Sequence, residues 1–387
     1  MPKISSAFLG LYNREISRRL PTGALVVADN VDIDDAGGVV SREGYTLSEP
    51  LTNVTAAFAT QDEQRLFVVD DGTLKLLQPG STGVVLATGV SSDYIYWLEV
   101  AEYVLMSTGH IIGPNNQVTS WRVPKPEQPV VNLVSGSLPA GQYQVVHTYV
   151  DTSGREVGAS APAIMNVADG SGLTVEPEYI TGYDVRVYVT DTNGAEYYFY
   201  RESTAGSVEI ATTEGLTATL DEAQLRGYPA PDGVEHLAFY EGRVWASEFS
   251  GDQTVIWYSE PYWWNLFDLE SSYIVIPDKV TMMVGHSQGL LIATNDEIYV
   301  YTAEEALVRL AQYGTPDGVP YTQDDTGKIY IWSNQGLCEA LPFQNLTEQK
   351  VSLAAGNVCY TKLVEQNGRR KVVIMTDGNG SADNTLF

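Results

Sequence analysis

Positive charge is scarce in this chain: 22 Lys and Arg stand against 49 Asp and Glu, a net charge of −27 and a pI near 4.3. That balance excludes a protein that grips nucleic acid through its phosphates, because such grip needs Lys and Arg to displace counterions. Cysteine is nearly absent. Cys338 and Cys359 lie far from any CxxC spacing, so neither a disulfide framework nor a zinc site is expected, and both read as small buried apolar residues. Long apolar runs are missing too; Gly289–Thr294 is among the longest, far below the roughly 20 residues that span a bilayer as a helix. The first twelve residues carry one Lys and a broken apolar run, too little for a secretory signal, and no membrane insertion is expected. Helical periodicity is almost lacking. Thr302–Ala311 is the one short helix the pattern predicts, with Thr302 as N-cap and acids in its first turn.

What the chain does have is β texture. The 387 residues suggest two or three domains, with 24 Tyr, 7 Trp, 35 Gly and 18 Pro. Short apolar runs recur between turn signals, as in Arg65–Val69, the turn Asp70–Gly72, then Thr73–Leu77, where Asp-Gly supplies the positive φ of a tight hairpin. Comparable units are Tyr94–Leu98 with Tyr103–Met106, Gly242–Ala246 with Val255–Tyr258, Leu290–Thr294 with Glu297–Tyr301, and Lys328–Trp332 with Gly336–Ala340. Lys371–Met375 closes the series. Strand-turn-strand units repeating at roughly 40–50 residues point to β-propeller blades. A β-sandwich array is the competing architecture.

Two proline-rich edges, Pro124–Pro129 and Pro229–Pro231, enclose a stretch of different texture. Within it Ala140–Val150 and Asp184–Thr190 alternate cleanly, and the turns Asp151–Arg155 and Asp191–Gly194 punctuate them. An inserted immunoglobulin- or fibronectin-like sandwich of about 100 residues is predicted there. The expected fold class is therefore all-β, a complete or partial propeller-like domain interrupted by a sandwich. Its parts are an N-terminal arm and hairpin at 1–50, a first propeller part at 51–124, the insert at 125–231 and a second propeller part at 232–387. The arm contains Arg14, Arg18 and Arg19, candidate assembly residues because a segment with so little core of its own must pack on a neighbour.

No catalytic, cofactor or metal signature is present: no Walker A loop, GxSxG elbow, HExxH or dinucleotide fingerprint. His110, His147, His236 and His286 are scattered, and read as hydrogen-bonded structural residues. Asn30, Asp32 and Asp34 alternate like the opening of a calcium loop, but Asp35 stands where the loop needs Gly and Ser41 where it needs Glu. Tyr262, Trp263 and Trp264 form the one candidate glycan platform, weighed against a place in core or interface.

The run Asn30–Tyr45, with its Arg-Glu-Gly-Tyr ending, resembles the N-terminal region of bacteriophage tail structural proteins. Gly141–Gly158 is similar to the fibronectin-like or Ig-like modules inserted in phage virion proteins. Together they resemble the tail nozzle, or packaged-DNA-stabilisation, proteins of short-tailed phages. The resemblance implies a virion tail protein made in the host cytoplasm, a homo-oligomeric and typically hexameric ring. It also implies adaptor, fibre or needle proteins as neighbours, and genomic DNA passing through the lumen without specific binding. The charge agrees: residues 232–328 hold 16 acids and four bases, and an acidic wall leaves DNA mobile. The alternative is a carbohydrate-recognising or carbohydrate-cleaving propeller that engages the host surface through Tyr262, Trp263, Trp264 and paired acids.

Overall fold

The computed structural model describes residues 9–14, 19–27, 31–33, 38–41, 51–77, 83–90, 95–152, 154–221, 224–225, 227–348, 350–351, 354–366 and 369–377. Nearly all regular structure is β, arranged as successive antiparallel meanders. Blade 1 comprises Val54–Ala59, Leu66–Asp70, Thr73–Leu77 and Val84–Thr88. Blade 2 comprises Trp97–Val100, Tyr103–Met106, His110–Ile112 and Val118–Ser120. Blade 3 has His236–Tyr240, Arg243–Ser250 and Gln253–Glu260, the last flanked by Trp263–Phe267 and Tyr273–Ile276. Blade 4 runs Val280–His286, Gly289–Thr294, Ile298–Tyr301 and Leu307–Ala311. Blade 5 runs Tyr321–Gln323, Ile329–Ser333, Gly336–Glu339 and Gln344–Asn345. A terminal hairpin, Val358–Gln366 with Arg369–Thr376, ends the array, and Asp317–Val319 joins it in parallel.

Alternation along each strand explains why these meanders stack. In Gly289–Thr294 every residue is buried, yet Leu290 and Ile292 pack with blade 3 while Leu291 and Ala293 pack with blade 5. Val104 and Met106 likewise face blade 1, and Leu105 between them faces blade 3. A sheet covered on both sides reads as an unbroken apolar run. Five shared cores result, one between each pair of neighbours from blade 1 to the terminal hairpin. The fold is a propeller-like all-β array.

Close approach of the innermost strands requires glycine at one place. A Cβ on Gly285 of blade 4 would stand 1.9 Å from the Phe239 carbonyl oxygen of blade 3. Gly285→Ala must push the two strands apart, and a loss of about 1–3 kcal/mol is expected. An unchanged urea midpoint would contradict that contact.

The predicted helix at Thr302–Ala311 is corrected. Glu305 takes a positive φ in a turn closed by the Thr302 carbonyl, and Leu307–Ala311 becomes the outer strand of blade 4. The exposed backbone edge of Ile298–Tyr301 and the Arg309–Glu297 ion pair favour the ladder, outweighing a weak local propensity.

The insert consists of two packed sheets. One is Val130–Leu138, Ser171–Glu176 and Val208–Ile210; the other is Ala163–Val167, Gly141–Asp151, Tyr183–Thr190 and Tyr197–Ser203. Tyr143, Val145 and Tyr149 of Gly141–Asp151 enter the core between them, beside Leu173, Val185 and Val187. Entry and exit of the insert lie together: Lys125 stands over the Tyr228 ring at 4.4 Å, and Tyr228 exchanges backbone bonds with Phe267 of blade 3. In the N-terminal region Gly10–Leu11 pairs in parallel with Ala24–Leu25, and Val31–Ile33 pairs with Val39–Ser41. The Asn13 amide donates to the Lys350 carbonyl, tying the arm beyond blade 5. Arg14 and Arg19 are exposed; Arg18, Asn30, Asp34 and Asp35 lie outside the described residues.

Candidate functional site

The blades curl so that their innermost strands begin around a common axis. Tyr96, just before the first strand of blade 2, lies 4.0 Å ring to ring from His236, which opens blade 3. The Gly318 amide of the parallel strand Asp317–Val319 is hydrogen-bonded to the Tyr96 phenol oxygen. Lys279, at the start of blade 4, holds Asp317 through both carboxylate oxygens at 3.1 and 3.2 Å. Glu235 completes the group. Residues from four different elements thus meet at one end of the innermost strands.

Electrostatics in this cluster follow from burial. Desolvation pushes the Tyr96 phenol well above its usual range, reinforced by Asp317 and Glu235. Burial also raises Glu235, opposed by Lys279 and assisted by Asp317 and Glu248. His236 is driven down to about 3, so its imidazole is neutral; Ser247 Oγ lies 3.3 Å from its Nδ1. Lys279 and Asp317 satisfy each other, whereas the buried His236 Nε2 has no hydrogen-bond partner. Among the described residues no set of three or more His, Cys, Asp or Glu side chains is placed to hold a metal ion.

A second feature opens on the same end, beside Asp278 and Lys279. A polar cleft of about 710 Å³ lies between blades 4 and 5, lined by Asp278, Asp296, Glu297, Tyr299, Arg309 and Tyr313 among others. Its walls are fixed. Thr294 Oγ1 accepts the Asp296 and Glu297 amides, Arg309 and the Tyr299 hydroxyl hold Glu297, and Asn334 Nδ2 donates to the Asn295 carbonyl at 2.7 Å.

The aromatic trio is not brought together. Tyr262 protrudes from a turn at 88% exposure. Trp263 and Trp264 are successive residues of an irregular strand, and Trp264 packs against the core shared by blades 2 and 3. Trp264 lies between Tyr103 of blade 2, 5.3 Å away, and the Arg155 guanidinium of the insert, 5.1 Å away. This makes it part of the junction between insert and propeller. There Arg155 also holds the buried Asp151 and donates to the Ser120 carbonyl of blade 2, and Asn265 Nδ2 reaches the Glu156 carbonyl. His110 bonds Thr108 in blade 2, and His286 accepts the Gln288 amide at the far end of blade 4, so neither joins His236. Cys338 and Cys359 are buried free thiols whose burial raises both pKa values, Cys359 to about 12.

Sequence reasoning missed the axial cluster, since Tyr96, Glu235, Lys279 and Asp317 share no local pattern. The one available signal was their position, each at or next to the start of an innermost strand.

Neither a protein-family model nor a curated protein matches the chain. Solved structures are similar to it in architecture. The Dos1 propeller is 9% identical with a TM-score of 0.39, the match covering 92% of this chain and 80% of that one. AztD from Citrobacter koseri is 9% identical at 0.33, covering 90% and 87%. The extracellular domain of the hybrid two component system BT4673 from B. thetaiotaomicron is 11% identical at 0.35; the match covers 93% of this chain but only 39% of that one.

Proposed function

We propose that this chain is a non-catalytic structural subunit of a bacteriophage tail, forming a nozzle ring that retains packaged DNA and conducts it during ejection. The observation that carries the reading is where the scarce positive charge is spent. Lys75, Arg122, Arg155, Arg186, Lys279, Arg309, Lys328 and Arg370 are each held by a carboxylate of the same chain. With so many bases internally neutralised in a −27 chain, the surface turned to solvent is dominated by acids. Such a wall repels duplex DNA weakly and makes no salt-dependent contacts that would arrest it. The N-terminal arm and the resemblance to nozzle proteins fit the same role.

Light scattering and negative-stain imaging of the purified protein test it, together with a gel-shift assay on duplex DNA at low salt. Rings with an open centre and no DNA retention are expected. A strict monomer, or DNA binding that weakens steeply with salt, would overturn the reading.

One observation favours carbohydrate recognition as a second reading: the rigid polar cleft between blades 4 and 5, with two tyrosines among amide and carboxylate side chains. Glycan-array binding that is lost in Tyr299→Ala and retained in Trp264→Ala would support it over the nozzle.

A further inference from the structure

The cleft between blades 4 and 5 offers hydrogen-bonding groups of one kind more than the other. Three carboxylates line it, Asp278, Asp296 and Glu297, and one base, Arg309. Arg309 is held against one oxygen of Glu297, whose other oxygen takes the Tyr299 hydroxyl. The Asn334 amide is committed too, donating to the Asn295 carbonyl, and Lys279, next in the chain to Asp278, gives its ammonium to Asp317. Acceptors, by contrast, stand open. Among the described residues the Asp296 carboxylate receives no hydrogen bond, and that of Asp278 receives only the Lys279 amide, on Oδ1. Burial, then Glu297 and Asp278, push the Tyr299 phenol up to about 12, which puts both carboxylates within electrostatic reach of its hydroxyl.

We propose that the cleft takes a glycan rich in donors and free of acidic groups, a neutral or amine-bearing oligosaccharide, and rejects uronic, sialic and sulfated ones. This deepens the carbohydrate reading of the cleft and rests on it. The volume of about 710 Å³ suits such a ligand, because pockets of roughly 300–1,000 Å³ enclose small molecules of several rings. Sugar hydroxyls and ammonium groups donate, which is what the open oxygens of Asp278 and Asp296 require. A carboxylate or sulfate on the ligand brings acceptors instead. It would stand beside two carboxylates without a counter-charge, in a chain of net charge −27. Like charges set side by side discriminate against the wrong partner as surely as good contacts favour the right one. Thr294 Oγ1 pins the turn that carries Asp296 and Glu297, so the discriminating groups are in place before a ligand arrives.

A glycan array probed with the full chain, as wild type and as Tyr299→Ala, tests the assignment. The hits lost in Tyr299→Ala are expected to be neutral or amine-bearing. Isothermal titration calorimetry then compares the strongest of them with a carboxylated counterpart on the same backbone, and wild type is expected to favour the non-acidic one at least about tenfold. Asp278→Asn with Asp296→Asn should remove most of that preference. Glu176→Gln with Glu214→Gln, which takes two exposed acids from the insert, should leave it unchanged. Tyr299-dependent hits that carry uronic, sialic or sulfate groups would overturn the inference and leave the carbohydrate reading standing. So would a preference that the insert variant weakens as much as the cleft variant does, because overall charge would then be its source. An array without any Tyr299-dependent hit removes both. Circular dichroism checks folding, and Asp296→Asn alone, at an exposed side chain, gives the same comparison where the double variant unfolds.

Discussion

Acidification from pH 6.5 to pH 4.5 is expected to destabilise the folded chain by several kcal/mol, while most carboxylates are still ionised. The cause lies in two buried imidazoles. His147 points into the sandwich from Gly141–Asp151, fully buried, with neither ring nitrogen hydrogen-bonded. The Ser160 hydroxyl is already spent: it accepts the His147 amide and donates to the Ala161 carbonyl. Burial lowers the pKa of His147 to about 4, and that of His236 at the axis to about 3.

In the unfolded chain both take a proton near 6.5. Between that value and the folded pKa values the unfolded state binds more protons, so stability rises with pH there. The contribution is therefore fully present above about pH 6.5, and is lost as pH falls towards about 4 for His147 and about 3 for His236. At 1.36 kcal/mol per pKa unit, each histidine accounts for roughly 3 kcal/mol or somewhat more. Glu235, whose pKa is raised by burial, works in the opposite direction and offsets part of the loss. Asp70 and Asp324, held low by hydrogen bonds from Lys75 and Thr326, lose their contribution only at more acid pH. Urea unfolding at pH 7, 5.5 and 4.5 measures the slope, and His147→Leu should flatten it. A stability curve level across that range, or a slope unmoved by the variant, would remove the imidazoles as its source.

Replacing Arg155 by Ala is expected to cost about 3–5 kcal/mol and to loosen the insert from the propeller. Asp151 is buried and receives both the Arg155 amide and its guanidinium, so the substitution leaves a carboxylate without its counter-charge in a dry site. The same guanidinium bonds the Ser120 carbonyl of blade 2 and lies over Trp264 of blade 3. Its loss thus removes contacts to both neighbours at once. A second substitution separates the two effects. Arg155→Ala with Asp151→Asn should recover most of the thermal stability, because no charge is stranded, while the insert stays more open to proteolysis at 124–129 than in wild type. Protection of that linker equal to wild type in the double variant would show that other contacts set the angle of the insert.

Local pattern made the strands legible. Leu290–Thr294 read as a hairpin strand and Asp70–Gly72 as a tight turn, because those features are decided by residues within a few positions of one another. The same locality misled at Thr302–Ala311, where spacing and early acids suit a helix but the open edge of Ile298–Tyr301 claims Leu307–Ala311 as a strand. Trp263 and Trp264 looked like one platform in the sequence; Trp264 instead packs at the junction of insert and propeller, where Arg155, 109 positions away, lies over its ring.

The amino-acid order alone therefore determined the β character, the hairpins, the interruption by an insert and the acidic surface, all consequences of near-neighbour patterning and composition. Only the tertiary structure decided which face of each blade meets which neighbour, that Asp317–Val319 pairs in parallel with Val358–Gln366, and that Tyr96, Glu235, Lys279 and Asp317 share one site. Those outcomes depend on how whole sheets twist and stack. Side chains more than 200 positions apart in sequence carry no mark of one another until the blades have curled around their axis.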